Sequence, residues 1–200
     1  MLLPRTCPLC ARPGPAPCPD CAGRLAPAPP LPPPPGVDRC LALLAFEGAG
    51  ADLVAGIKYR NRRTAVPALG RAMAALVVAA GGDAAAVTWI PTTPAHRRAR
   101  GFDHGQLLAR HVAAHLHLPC RRLLVRGAGP AQTGRSRAER LAGPHVAAVR
   151  AASGLVGAVD DVVTTGSTAS AAATALAAAG ATAVWVVAAA RRAPQADHAP

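Results

Sequence analysis

Short apolar runs alternate with longer segments of helical periodicity in the chain after Gly36. The apolar runs of strand length are residues 40–46, 87–90, 122–125, 155–159 and 183–189. Apolar positions spaced three and four apart predict helices over 51–59, 65–80, 103–116 and 168–179. Repeated strand-helix-strand units predict an α/β protein with a parallel sheet flanked by helices. Ligands of such sheets bind at the carboxyl ends of the strands, so we expect a site in the loops after Ile90, Val125 and Val159.

The uncharged stretch 162–190 is the candidate for a membrane span. It is rich in Ala, Thr, Gly and Ser, which gain little in hydrocarbon, and Gly180 divides it, so a helix followed by a strand explains it better. The opening sequence MLLPRTCPLC lacks the apolar run of a signal peptide. We therefore expect no membrane association and a cytoplasmic location.

Four of the six cysteines form two CxxC pairs near the start of the chain: Cys7, Cys10, Cys18 and Cys21. Two such pairs can place four thiolates around one tetrahedral zinc ion. Two disulfides are the alternative, which a reducing cytosol disfavours. The spacing predicts a structural zinc module over residues 1–26, a segment with too few apolar side chains to build a core unaided. We expect Cys40 and Cys120 to be buried as small hydrophobic residues.

A proline-rich segment follows the cysteine pairs, with the sequence PAPPLPPPP at 27–35. It cannot join a helix or a central strand, which predicts an extended linker over 27–36 rising about 3 Å per residue. A ligand for a proline-binding partner is the alternative. The predicted organisation is completed by a main domain over 37–193 and a flexible tail over 194–200.

The most specific chemistry lies in LVGAVDDVVTTGST at 155–168. An apolar strand runs into Asp160 and Asp161, and small hydroxyl residues and Gly166 follow at the start of an Ala-rich helix. Free N–H groups at a helix N-terminus suit a phosphate, and adjacent carboxylates suit sugar hydroxyls or a hydrated Mg²⁺. A sugar phosphate would span both halves. The alternative is an ordinary strand-loop-helix with incidental acids.

This segment resembles the binding motif of the type I phosphoribosyltransferases, which hold phosphoribosyl pyrophosphate (PRPP) with Mg²⁺. Other features stand around it in a fixed order: the four cysteines, IKYRNRR at 57–63, IPTTPAHRRARGFDHGQLLAR at 90–110 and QTGRSRAER at 132–140. That order is similar to the ComF family, whose members are phosphoribosyltransferase-like proteins, several linked to competence for DNA uptake. The resemblance covers nearly the whole chain and implies the type I phosphoribosyltransferase fold.

The resemblance also implies roles for individual residues. Asp160 and Asp161 would meet the ribose hydroxyls as the catalytic acids. The 5′-phosphate would bind Thr164, Thr165, Gly166, Ser167 and Thr168. The pyrophosphate would bind Arg97, Arg98, Arg100 and Lys58, the last being the one lysine of the chain. A mobile hood over 126–140 would contribute Arg137 and Arg140.

Two features depart from the family pattern or stand outside it. The chain has GFDH at 101–104 where the family usually has GFNQ, which changes the acceptor side of the pocket. His111 and His115 are four apart on one predicted helix face, but without a third ligand we expect a surface or groove location rather than a metal site.

The charge balance keeps a second function class open. Lys and Arg number 22 against 10 Asp and Glu, a formal net charge of +12, with arginine runs at 60–63, 97–100 and 121–126. These runs suit contacts to phosphates of single-stranded DNA, although aromatic residues for base stacking are few. The first function class is the one that the resemblance implies, a PRPP-binding transferase acting on a nitrogen nucleophile. The alternative is a PRPP sensor or DNA-associated accessory protein, with the zinc module docking a helicase-like partner.

Overall fold

The computed structural model describes residues 6–60, 62–127 and 145–193. In chain order the strands are β1 Arg39–Ala45, β2 Ala84–Trp89, β3 Leu124–Arg126, β4 Val146–Ala148, β5 Leu155–Val163 and β6 Ala183–Arg191. The helices are α1 Pro19–Ala22, α2 Gly48–Arg60, α3 Val66–Ala79, α4 Pro94–Arg100, α5 His104–Leu116 and α6 Ser167–Ala178, with a short 3₁₀ turn at Arg63–Ala65. The predicted α/β class is confirmed.

Four strands form one parallel sheet in the order β1-β6-β5-β2. Strand β6 is central, and its Val186 pairs with Cys40 of β1 on one side and with Ala158 of β5 on the other. Strands buried on both faces are continuously apolar, and β6 is buried from Val184 to Arg191. The parallel sheet that the sequence predicts is therefore present.

Helices cover both faces of this sheet, so the core has two layers. Because neighbouring side chains of a strand point to opposite faces, Trp185 and Val187 pack on the layer of α2, α3 and α5. Val184 and Val186 pack on the other layer, against Leu176 of α6 and β3. Much of this second layer is alanine, because α6 packs small side chains directly onto the sheet.

The strand predicted over 122–125 is present in part as β3, but it does not join the parallel sheet. Strand β3 pairs antiparallel with β4 in a separate two-stranded sheet. The chain beside β2 forms only an isolated bridge, from Cys120 to Val87, before Leu123 donates its N–H to the Thr88 hydroxyl at 3.3 Å. The segment then leaves the sheet edge, and the hood residues Arg137 and Arg140 lie outside the described residues.

The cysteine segment and the proline-rich segment both lie against the main sheet domain. The Thr64 hydroxyl donates to the Thr6 carbonyl at 2.9 Å. Thr6 precedes the proline-rich segment in sequence and Thr64 follows it, so this bond joins the cysteine segment to the main domain. The proline-rich segment runs beside β1, where Ala28 N–H donates to Leu43 at 3.2 Å. The buried Arg191 guanidinium holds the same segment by donating to the Leu31 and Pro32 carbonyls at 3.0 and 2.5 Å. These contacts hold the proline-rich segment against the sheet.

No helix in the described part of the chain has the length and apolar character needed to cross a membrane.

Candidate functional site

A crevice opens at the carboxyl edge of the sheet between β2 and β5. From β2 the chain passes through α5 to the outer edge of the sheet, whereas from β5 it passes through α6, on the opposite face, to β6. Such a switch in direction leaves a gap between two strand ends, which is where open α/β sheets bind ligands. The gap is a cleft of about 230 Å³ lined by residues from both strand ends, including Pro91, Thr92, Asp160 and Asp161.

The two carboxylates lie within β5, which continues past them. The predicted strand ended at Val159, but pairing with β6 continues from Asp160 to Val163. On the other side, the ladder to β2 ends with Ile90 N–H donating to Val159 at 2.8 Å. Asp160 and Asp161 are therefore paired on one side only, and their other side borders the cleft.

Lys58, at the end of α2, reaches across the cleft to these acids. Its Nζ lies 2.9 Å from Asp161 Oδ1, and both side chains are less than one-fifth exposed. An ion pair in a shielded place is screened less by water and salt than a surface pair. Lys58 therefore holds a positive charge at the strand end where the sequence places the sugar.

The pKa of Asp160 is raised well above its usual value of 3.8, first because of burial and second because of the neighbouring Asp161. The Asp161 N–H, which donates to Asp160 Oδ1 at 2.8 Å, and the nearby Lys58 act in the opposite direction. A carboxyl group whose pKa is shifted by burial and a neighbouring charge in a cleft is typical of functional sites. A ligand with hydroxyl donors would stabilise both charged forms.

The predicted phosphate loop forms a turn between β5 and α6. Gly166 is the N-cap of the helix with φ +80°, and as a glycine it makes no side-chain cap hydrogen bond. The hydroxyls of Thr165 and Ser167 lie 3.1 Å apart, and Ser167 N–H donates to Thr165 Oγ1 at 3.4 Å. These groups and Asp160 line a pocket of about 30 Å³. The predicted residues 164–168 are thus brought together with the acidic pair.

Pro34 closes the back of this turn. A Cβ on Gly166 would lie 2.6 Å from Pro34 Cγ, so the proline-rich segment leaves room only for glycine. The positive φ also favours glycine. The turn is therefore held between α6 and the segment fixed by Arg191.

Asp103, in the GFDH motif, fixes the loop after β2. Its Oδ2 accepts from Thr92 N–H at 3.1 Å, and its Oδ1 accepts from Gln106 N–H at 3.4 Å as the N-cap of α5. Burial raises the pKa of Asp103, while these two N–H bonds act in the opposite direction. Asp103 therefore ties the predicted pyrophosphate loop to a helix.

The predicted pyrophosphate residues do not all lie together. Lys58 lines the cleft with the acids, whereas Arg97 and Arg98 line an adjacent cleft of about 240 Å³. Arg100 belongs to α4, and its side chain lies outside the description. Arg122 and Arg126 complete the second cleft, and Arg126 lines both.

Sequence reasoning missed several of these features. The sequence placed Arg126 only in the hood and in an arginine run. Its position beside the clefts depends on the antiparallel pairing of β3 with β4, which the sequence did not predict. Helix α4 was missed, although Pro94 at its first turn, Thr93 as its cap and Gly101 at its end are ordinary helix signals. The sequence placed Asp103 at the start of the helix predicted over 103–116, but its role as N-cap was not predicted and its bond to Thr92 depends on tertiary packing.

The four predicted metal ligands form one cluster. Their sulfur atoms all lie within 4.8 Å of one another, and Cys10 Sγ is 3.7 Å from Cys18 Sγ. A tetrahedral zinc ion with Zn–S bonds near 2.3 Å separates its sulfurs by about 3.8 Å, so the donor set fits zinc. No other group of three or more potential ligands in the described ranges is close enough to share an ion. Four cysteines that can bind a metal such as zinc are therefore present.

The thiols of this cluster titrate differently from one another. Burial raises the pKa of Cys7, but N–H groups of Cys18, Cys10 and Leu9 outweigh it and bring the pKa to about 6. Burial, together with the neighbouring cysteine side chains, raises the pKa of Cys21 to about 12. A bound divalent cation would replace the remaining protons, because the thiolate is the ligand.

Cys40, Cys120 and the histidine pair lie elsewhere. Cys40 and Cys120 are partly buried, rather than fully buried as predicted. On α5, His111 is half-buried and His115 is exposed. The pKa of His111 is lowered, mainly by burial and secondly by the charge of the neighbouring His115. No third ligand accompanies them within the described residues.

Comparisons with known proteins give structural similarity only. No protein-family model matches the chain. No curated protein matches it. Among solved structures, the chain is similar to the "allosteric regulatory enzyme of purine biosynthesis", at 26% identity and a TM-score of 0.46 over 64% of this chain and 26% of that one. It is also similar to the glutamine PRPP amidotransferase from B. subtilis complexed with ADP and GMP, at 27% identity and a TM-score of 0.46 over 62% and 26%. The chain thus matches about a quarter of the length of those proteins.

Proposed function

We propose that this chain binds PRPP with Mg²⁺ and transfers its phosphoribosyl group to a nitrogen nucleophile with release of pyrophosphate. The observation that carries the proposal is the junction of Asp160 and Asp161, the turn 164–168 and Lys58 at one strand end. These three features supply a hydroxyl acceptor, a phosphate cradle and a cation around one cleft. We further propose that the chain is a member of the ComF family, that its cysteine cluster binds zinc, and that it acts in competence or DNA uptake.

Each part of PRPP has a matching group in the crevice. The 5′-phosphate would accept N–H bonds from the start of α6 and hydroxyl bonds from Thr165 and Ser167. The ribose hydroxyls would donate to Asp160 and Asp161. Lys58 and the N–H groups of the loop held by Asp103 would face the pyrophosphate, with Arg97 and Arg98 approaching from the adjacent cleft. Mg²⁺ would neutralise part of the charge on PRPP when bound.

The chemistry follows from positioning and charge. The bond from the anomeric carbon to pyrophosphate breaks, a carbon–nitrogen bond forms, and the nitrogen gives up a proton. Cationic groups aimed at the leaving group stabilise the charge that develops on it. The acids hold the ribose so that the anomeric carbon faces the nucleophile, which converts binding energy into rate. Arg137 and Arg140 of the predicted hood would exclude water from the reactive sugar.

Calorimetric titration with PRPP, with and without Mg²⁺, tests binding directly. We expect wild type to bind and a protein carrying both Asp160→Asn and Asp161→Asn to bind about tenfold more weakly or worse, since a hydrogen bond to a charged group contributes roughly 1.5–3 kcal/mol. Simple electrostatics predicts the opposite, because removing two negative charges would favour a polyanion. Weaker binding therefore reports direct contacts to the sugar.

The control is Asp83→Asn, a change of an exposed carboxylate in the turn between α3 and β2. It should bind PRPP as wild type does. Pyrophosphate release with a panel of nitrogen nucleophiles then tests turnover. Unchanged turnover by Asp161→Asn would contradict the transferase proposal, and PRPP binding without turnover by wild type would favour a sensor.

Single-stranded DNA binding is the second candidate, because an arginine cluster surrounds the cleft beside the PRPP site. Arg97, Arg98 and Arg122 are exposed, and none of the three has a carboxylate partner within the described ranges. Filter binding at rising salt tests it: a steep loss of affinity supports phosphate contacts. Absence of binding at low salt would reject it.

A further inference from the structure

A three-residue bridge, Arg62 to Thr64, connects the cysteine cluster to the proposed PRPP cleft. Arg62 Nη1 donates to the Pro8 carbonyl at 2.7 Å, and the Thr64 hydroxyl donates to the Thr6 carbonyl at 2.9 Å. Pro8 lies between the ligands Cys7 and Cys10, so the first CxxC pair is bonded directly to this bridge. The metal-binding segment is thus in contact with the main domain at the point where α2 ends.

The same bridge is bonded to the helix that carries Lys58. Arg62 N–H donates to the Gly56 carbonyl at 3.0 Å, which closes the chain around the last turn of α2. A Cβ on Gly56 would lie 3.6 Å from Arg62 Cδ and 4.0 Å from the Pro8 carbonyl oxygen, so the three residues pack together. Lys58 follows two residues after Gly56 and pairs with Asp161. A shift of the bridge would therefore move the ammonium group in the cleft.

The middle residue of the bridge contacts Phe102, which directly precedes the cleft residues Asp103 and His104 in the chain. The Arg63 guanidinium carbon lies 3.7 Å from the centre of the Phe102 ring, and that ring meets the His104 ring edge-on at 4.6 Å. Phe102 directly precedes Asp103, which holds the Thr92 loop. The bridge thus contacts α2, which carries Lys58, and the Phe102 ring, which packs on the cleft residue His104.

We infer that Arg62 is a positioning residue through which metal bound at Cys7, Cys10, Cys18 and Cys21 holds Lys58 in place, so that metal binding and PRPP binding strengthen each other. The inference rests on the proposed function. Pro8 is an ordered acceptor only while its CxxC pair is folded around the ion, because a small cysteine segment has little structure without its metal. Coupling between two sites is reciprocal, so PRPP must raise the metal affinity by the factor by which metal raises the PRPP affinity.

The first measurement uses the full-length wild type and needs no variant. Zinc affinity is measured by competition with a chromophoric chelator, with and without saturating PRPP and Mg²⁺. We expect PRPP to tighten zinc binding roughly fivefold or more, the lower range of measured couplings. The Asp160→Asn, Asp161→Asn protein serves as control. Because it binds PRPP about tenfold more weakly or worse, a PRPP concentration that just saturates wild type leaves most of the control unbound, and chelation of zinc in solution then weakens its apparent zinc binding.

The second measurement compares PRPP dissociation constants of two zinc-loaded variants. Arg62→Met removes the bond to Pro8, and we expect PRPP to bind roughly fivefold or more weakly. Arg60→Met removes the same charge from the exposed end of α2, where Arg60 makes no hydrogen bond or ion pair within the described residues, and should change binding less than about twofold. Arg62→Lys, which keeps a donor near Pro8, should recover part of the loss.

Each outcome decides. Tighter zinc binding with PRPP, together with a loss in Arg62→Met beyond that in Arg60→Met, supports the inference. If wild type binds PRPP while its zinc affinity is the same with and without PRPP, the inference is overturned and the proposed function stands. If wild type does not bind PRPP, both are overturned. If Arg62→Met fails to fold, the wild-type linkage measurement alone decides.

Discussion

The Asp103 carboxylate accepts two hydrogen bonds, one as the N-cap of α5 and one from the Thr92 N–H. We expect Asp103→Ala to lower the free energy of unfolding by about 1–3 kcal/mol, because a lost cap costs roughly 1 kcal/mol and the partly buried Thr92 N–H is left without its partner. Urea unfolding measures the change. Asp103→Asn keeps a cap and should cost less, and equal losses in the two variants would contradict this account.

Asp160 makes the free energy of unfolding of the protein depend on pH. Because its pKa is raised in the folded protein, the folded state keeps a proton that the unfolded state has lost in the range above 3.8. Stability therefore falls as pH rises through this range. The wild type should lose stability relative to Asp160→Asn from about pH 4 upward, measured by urea unfolding at several pH values. Parallel curves for the two proteins would contradict the shift.

At the scale of elements, the turn between β5 and α6 depends on Gly166 in two ways. Gly166→Ala would strain a positive φ and also bring a Cβ against Pro34, whereas Gly81→Ala, at φ +72°, meets only open space. The strain alone costs about 1–2 kcal/mol. We expect Gly166→Ala to destabilise more than Gly81→Ala and to weaken PRPP binding, as measured by thermal unfolding and calorimetry.

A double variant separates the two causes. Pro34→Ala removes the ring that the new Cβ would meet. Adding it to Gly166→Ala should therefore remove the steric part of the stability loss and leave only the loss caused by the strained φ. If the two changes simply add, Pro34 does not limit the space behind the phosphate turn.

At the scale of the whole molecule, the metal cluster is separate from the remaining cysteines. Cys10→Ser should lose bound zinc and lower the midpoint of thermal unfolding, since it removes one of four ligands. Cys120→Ser makes the same chemical change outside the cluster and should keep one zinc per chain. Metal content by elemental analysis and thermal unfolding by fluorescence check both. Full zinc retention by Cys10→Ser would contradict a four-thiolate site.

How much of this could be read from the sequence differs between scales. Local patterns predicted β1, β2, β5, β6 and the helices packed on them, because periodicity and helix signals act over a few residues. The same local reasoning misplaced 122–125, since an apolar run does not say which strand it pairs with. It also ended β5 too early, because pairing with β6 outweighs the cost of two acids in a strand.

The sequence by itself determined the α/β class, the four clustered cysteines and the juxtaposition of the acidic pair with the turn at 164–168. All three depend on residues close together along the chain. The tertiary structure alone decided that Lys58 meets Asp161, that Asp103 holds Thr92, that Arg126 borders both clefts and that Arg62 reaches Pro8. These contacts join residues far apart in sequence, and their partners are fixed by sheet order and helix packing, which no local pattern encodes.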